Sequence, residues 1–183
     1  MATAEALLTA EEYRLLPDNG QPTELVRGRV VPMNMPGFRH GEVCAQVAFV
    51  LRRFLEDNPI GRVVTNDSGV LTERNPDTVR GADVSFYSYA RLPAEQHPDG
   101  YPPAPPELVF EVRSPGDRWS EIAIKVGEYL RAGVRTVCVL DSQTETAHLH
   151  HADQAPQILA ADQDFVLPDL LGAFRVPVRR FFE

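Results

Sequence analysis

The sequence predicts an α/β fold in which helices cover a sheet that is at least partly parallel. Two observations carry this reading. In residues 106–141 a short apolar run bounded by Pro106 and Pro115 leads into a helical stretch from about Trp119 to Ala132, stopped by Gly133. A second apolar run over 134–140 ends at Asp141. Strand, helix, strand, with both strands dominated by apolar residues, is the pattern of a parallel pair buried on both faces. Composition is the second observation. The chain has 183 residues, 43% hydrophobic and 24% charged, which fits one globular domain over 1–183 with a core of its own.

Each element has a local reason. Thr9 with Glu12 three residues later forms a capping-box pattern opening a short helix over 10–16, halted at Pro17. Residues 24–31 (ELVRGRVV) read as two short strands turning near Gly28, hence a hairpin. Residues 33–38 form a turn-rich loop. From 39 to 57, Val43, Val47, Phe49, Val50, Phe54 and Leu55 recur at near-helical spacing, and Asn58-Pro59 ends what is expected to be the longest helix. Residues 61–71 and 79–88 are strands. Residues 89–106, rich in proline and polar side chains, predict a surface loop and a candidate mobile lid. Beyond Asp141, residues 146–151 and 158–167 predict antiparallel strands extending the sheet, and 177–182 a closing helical turn. No internal repeat and no second domain are visible.

Charge and cysteines narrow the function. A net charge of −8 argues against a wide basic face gripping nucleic acid, but leaves a narrow cleft in which metal ions offset local carboxylates. Cys44 and Cys138 lie inside apolar runs and read as small core residues, with no disulfide framework. The start, MATAEALLTAEEY, has no basic region before an apolar one, and no segment approaches a membrane span. A cytoplasmic protein is the expectation.

Three residues stand out chemically. Glu111 sits in the middle of an apolar strand, where a carboxylate must be paired, bind a metal or titrate abnormally. Asp83 lies in the strand RGADVSFYS, where alternation puts Asp83, Ser85 and Tyr87 on one face and Val84 and Phe86 on the other. Lys125, on the helix after Glu111, is the single lysine beside seventeen arginines. A surface pair with Glu121 at i, i+4 would explain a charge there, but arginine would serve equally. Only lysine offers a compact ammonium that can also lose its proton. Two strand carboxylates can hold Mg²⁺, with Mn²⁺ as the alternative, and an adjacent lysine can orient or deprotonate the attacking water. That is the chemistry of metal-dependent phosphodiester hydrolysis.

The strings ELVRGRVVPM, RHGEV, ADVSF, PELVFEVRSPGDR and KVGEYLRAGVRTVCVLD, in this order, resemble the Uma-two family of the PD-(D/E)xK nuclease superfamily, from about residue 9 to 182. The resemblance implies a restriction-endonuclease-like α/β/α core with a mixed central sheet flanked by helices, plus an N-terminal helix and hairpin. It implies metal ligands at Asp83 and Glu111 and a catalytic lysine at Lys125. Two positions depart from the superfamily pattern. Ala82 stands where the motif has proline, and Arg113 where its usual lysine would be, the family's lysine having moved to the following helix.

Smaller expectations attach to neighbours. Glu24 resembles a further acidic residue of the family's site, against the alternative of a solvated strand-end carboxylate. His40 either faces the cleft or ends a helix. Arg113 contacts phosphate or pairs with a nearby acid. Ser114 and Asp117 shape and cap the turn into the helix, and Asp141 is a turn residue. His148, His150 and His151 lack the accompanying ligands of a zinc site. The leading function is a Mg²⁺-dependent DNA endonuclease, cutting DNA in a narrow cleft and working as a homodimer. Alternatives are a non-enzymatic nuclease-fold binding or regulatory module, or a hydrolase of small phosphoesters. Arg27, Arg29, Arg39, Arg52, Arg53, Arg179 and Arg180 are the arginines available for a local basic patch.

Overall fold

The computed structural model describes residues 6–183. At the start Thr9 Oγ1 accepts the Glu12 N–H while the Glu12 carboxylate accepts the Thr9 N–H, and helix α1 (Ala10–Arg14) follows from that reciprocal cap. Strands β1 (Thr23–Val26) and β2 (Arg29–Pro32) form the expected hairpin across a two-residue turn, Arg27-Gly28, with both residues at positive φ. Helix α2 (Phe38–Asp57) leads to the long antiparallel pair β3 (Gly61–Glu73) and β4 (Thr78–Ser88).

The strand–helix–strand unit is β5 (Leu108–Arg113), α3 (Trp119–Ala132) and β6 (Thr136–Asp141), with β5 and β6 parallel from Leu108↔Thr136 to Arg113↔Asp141. Gly133 ends α3 at φ 102°, a left-handed conformation that any side chain would strain. β7 (Thr146–His150) and β8 (Gln157–Leu159) complete a mixed sheet ordered β2-β1-β4-β5-β6-β7-β8, with β3 on the second edge of β4.

α2 lies on one face, burying Val43, Val47, Val50 and Leu51 against Val84, Phe86, Phe110, Val112, Cys138 and Leu140. α3 covers the other, burying Ile122, Val126 and Tyr129 against Val70, Ala82, Val109, Val137 and Val139. Helix, sheet, helix is therefore the layering.

Three expectations are corrected. The strand predicted over 158–167 is broken: a turn closed by the Gln163 N–H to the Ala160 carbonyl separates β8 from β9 (Asp164–Val166). β9 pairs instead with β10 (Arg175–Pro177), on the far side of α4 (Pro168–Leu171). This detour, followed by a 3₁₀ turn (Val178–Phe181), carries Phe165 onto Phe110, Phe174 and Phe181 in the α2-side core. Phe49 is 57% exposed, and Leu51 takes its place in the buried stripe 43, 47, 50, 51, which repeats at i, i+4, i+7, i+8. The loop over 89–106 is no lid over the cleft described below. Arg62 donates to the carbonyls of Pro93, Ala94 and Gln96, Arg91 donates to those of Pro105, Pro106 and Gly133, and no residue of this loop lines that cleft.

One feature of the sheet positions the cleft. β3 runs along one edge of β4, but the other edge is divided between two strands. β1 meets it at Val79, and β5 joins it only from Val84 to Phe86. Between these contacts residues 80–83 have no strand partner on that edge. Their backbone groups turn to side chains.

Candidate active site

Side chains fill the gap left at residues 80–83. Glu24, from β1, accepts the Gly81 N–H at 3.0 Å, and the Tyr129 hydroxyl of α3 lies 3.2 Å from the Gly81 carbonyl. Asp83 reaches across to β5 and accepts the Val112 N–H through Oδ2 at 2.6 Å. A side chain at Gly81 would crowd β3, since a Cβ would stand 3.0 Å from the Asp67 Cβ. That closeness comes from a β-bulge in β3: pairing jumps from Thr65↔Val84 to Ser68↔Ala82, and Asn66 and Asp67 take positive φ opposite Asp83.

The result is a cavity of about 630 Å³ lined by Glu24, His40, Asp67, Asp83, Glu111 and Lys125, with the loop Ser114–Asp117 and residues 32–38 at its rim. Lys125 enters from α3, between the buried Ile122 and Val126. Its Nζ is 2.9 Å from Glu24 Oε1 and 3.6 Å from Glu111 Oε2. Burial works against its charge, but Glu111 and Glu24 outweigh that and raise its pKa above the ordinary value. Glu121, the partner that would have made Lys125 a surface pair, lies instead against Arg118 at 3.5 Å.

Glu111 accepts the Tyr129 hydroxyl on Oε1 at 2.8 Å. Its burial pushes the carboxyl up to about 7, a rise that Lys125 and Tyr129 reduce and Asp83 increases. Asp67 is raised by burial, by the charge of Asp83 and by a hydrogen bond shared with it. His40 Nε2 lies 3.2 Å from Asp83 Oδ2. Burial opposes its charge, yet the bonds to Asp83 and Cys44 prevail and raise the imidazole to about 10. Glu24 is fully engaged: Arg80 Nη1 donates to it at 2.7 Å, while Arg80 turns its Nε and Nη2 to Glu128.

The chain matches a family described as Uma2, "Putative restriction endonuclease", over residues 10–179. It belongs to the Uma2 family. A crystal structure described as "a putative nuclease belonging to DUF820" from Anabaena variabilis superposes with a TM-score of 0.80 at 17% identity, covering 96% of this chain and 97% of that one. The two share a fold, a mixed α/β nuclease fold. No curated protein matches the chain.

In this Uma2 member five of the residues singled out in the sequence, Glu24, His40, Asp83, Glu111 and Lys125, line one cavity. Arg113 does not join them. It donates to Asp141 Oδ2 and Gln143 Oε1 and lies over the Trp119 ring, so pairing with a nearby acid is the outcome. Glu24 is buried rather than solvated. Asp117 closes the turn by accepting the Ser114 N–H but does not cap α3, whose N-cap is Arg118 without a side-chain bond. Cys138 is a core residue as expected, whereas Cys44 is half-buried with Sγ 3.5 Å from His40 Nδ1. His148 bonds Thr146 and His151 reaches Thr136, and the three histidines form no ligand cluster. Among the described residues the group that could hold a metal by convergence of three side chains is His40, Cys44 and Asp83.

Asp67, Arg80, Tyr129 and Cys44 escaped the sequence reading. Asn66-Asp67 inside a strand was a legible bulge signal. Tyr129 and Cys44 each stand one helical turn from a residue already singled out, Lys125 and His40. Arg80 had no signal.

Proposed function

We propose that this protein is a Mg²⁺-dependent endonuclease that hydrolyses DNA phosphodiesters in the cleft between β1, β4, β5 and α3. The observation that carries the reading is the convergence of Asp67, Asp83 and Glu111, from three strands, with Lys125 from a helix, on one open cavity. Two of these carboxyls bind protons more tightly than usual because burial and mutual repulsion disfavour their charge. Hard oxygen donors in that condition suit a hard divalent cation, which relieves the repulsion. Asp83 and Glu111 would hold it, with Asp67 beside them. Bound there, the cation supplies Lewis-acid polarisation of a phosphodiester oxygen and acidifies a water.

The remaining work falls to side chains. Lys125, kept charged between Glu24 and Glu111, presents a fixed ammonium that orients the attacking water and stabilises charge developing on the phosphate. Arg80 and Glu24 hold the lysine in place. Glu111 keeps its orientation through Tyr129.

A narrow cleft suits the acidic surface. Outside it, Arg39, Arg53, Arg179 and Arg180 lie against the carboxylates of Glu42, Glu56 and Glu183. Cutting both strands of a duplex would use two copies of the chain, and a cytoplasmic setting fits such a substrate. Among the described residues no helix is long and apolar enough to cross a membrane. Calorimetric titration of Mg²⁺ and Mn²⁺ followed by plasmid nicking tests the proposal. Saturable binding and nicking, both lost in Asp83→Asn/Glu111→Gln, are expected. Nicking that survives in the double variant would sink it, and hydrolysis of small phosphoesters without nicking would move the substrate class.

A further inference from the structure

Next to the carboxylates lies a donor set of different character. His40 and Cys44 are four residues apart on α2 and therefore project from the same face. His40 Nδ1 is 3.5 Å from Cys44 Sγ, and His40 Nε2 is 3.2 Å from Asp83 Oδ2. One ligand atom from each of the three residues lies within 4.8 Å of the others. Ligands held about 2.0–2.3 Å from a tetrahedral zinc stand roughly 3.3–3.8 Å apart. Tetrahedral spacing needs a turn of the imidazole that aims one nitrogen at the centre, together with side-chain rotation of Cys44 and Asp83 that closes a separation of at most 4.8 Å. Softness then selects the ion, because thiolate and imidazole favour zinc-class metals over Mg²⁺.

We propose that His40, Cys44 and Asp83 form a binding site for a thiophilic divalent transition ion of the zinc class, sharing Asp83 with the neighbouring carboxylate cleft. His40 and Asp83 line that cleft, while Cys44 stands behind them, half-buried. Water from the cavity, which His40 and Asp83 line, would supply a further ligand. Binding releases the Cys44 thiol proton and the imidazole proton to solvent. Because Asp83 serves both sites, a zinc-class ion in this one withdraws a ligand from the other and acts as an inhibitor of the Mg²⁺-supported reaction. The inhibition rests on the function proposed above; the binding site does not.

Co²⁺ is the probe, titrated into the full chain without Mg²⁺. The expected result is a thiolate-to-cobalt charge-transfer band in the near ultraviolet that saturates at about one equivalent and is displaced by Zn²⁺. Cys44→Ser should abolish the band and weaken Co²⁺ binding about tenfold or more. Glu111→Gln should keep the band while losing Mg²⁺ binding, which separates this site from the carboxylate reading. A folded wild-type protein without the band, or a band unchanged in Cys44→Ser, would overturn the proposal. If Cys44→Ser fails to fold by circular dichroism, His40→Ala decides: at least tenfold weaker Co²⁺ binding supports the site, and unchanged binding overturns it.

Discussion

Asp77 and Glu111 are both buried carboxylates, one in a turn and one within a strand, and their surroundings treat them in opposite ways. Asp77, in the β3–β4 turn, accepts the Ala10 N–H at 2.8 Å, the Asn75 N–H at 3.2 Å and Arg74 Nη1 at 2.8 Å. Burial raises its pKa, but those three donors more than offset it and hold the carboxyl below the usual range. Glu111 receives one phenol and a lysine that it shares with Glu24, and it faces Asp83. Its pKa goes up. A carboxylate saturated with donors ties a turn to helix α1. One left short of positive charge beside another acid is poised for a cation.

The largest effect that could break this comparison is on activity. With the chemistry proposed here, Glu111→Gln should lower plasmid nicking about 10³-fold, while Asp77→Asn should leave nicking within a few-fold wherever the protein is folded. Equal losses in the two variants would erase the distinction.

Next comes pH, measured by denaturant unfolding with a chelator present. Glu111, raised from 4.5 to about 7 in the fold, contributes stability present below pH 4.5 and lost as pH rises through 7. Asp77, lowered from 3.8, contributes stability present above pH 3.8 and lost as pH falls through its folded value. Glu111→Gln should flatten the loss between pH 4.5 and 7, on the order of 3 kcal/mol. Asp77→Asn should leave that window unchanged and flatten the acid limb.

At neutral pH, Asp77→Ala should destabilise the fold by about 2 kcal/mol, because it orphans the Ala10 N–H and unties α1. A loss of stability below a tenth of that would mean the turn is held by other contacts. The smallest expected effect sharpens the comparison from the lysine's side. Lys125→Arg keeps the charge but spreads it over a planar fork, and nicking should fall about tenfold with unfolding unchanged. Full activity would show that any cation between Glu24 and Glu111 suffices.

Local pattern made much of the fold readable. The Thr9–Glu12 cap, the Arg27-Gly28 turn, the stripe on α2 and the apolar runs around α3 each obey rules that act within a few residues. Where long-range competition decided, the reading failed. Residues 158–167 look like one strand by composition, yet Phe165 is worth more in the aromatic cluster under α2 than on the sheet edge.

For the site, residue choice alone drew attention to Asp83, Glu111 and Lys125: two acids in apolar strands and a lysine in a chain that otherwise uses arginine. Those anomalies are local and survive in one dimension. Which groups meet was settled only by tertiary structure. The division of one edge of β4 between β1 and β5 opened the gap at residues 80–83, the bulge in β3 swung Asp67 onto Asp83, and α2 laid His40 and Cys44 beside them. Strand register and edge sharing depend on pairing energies summed over segments distant in sequence, and no short motif encodes them.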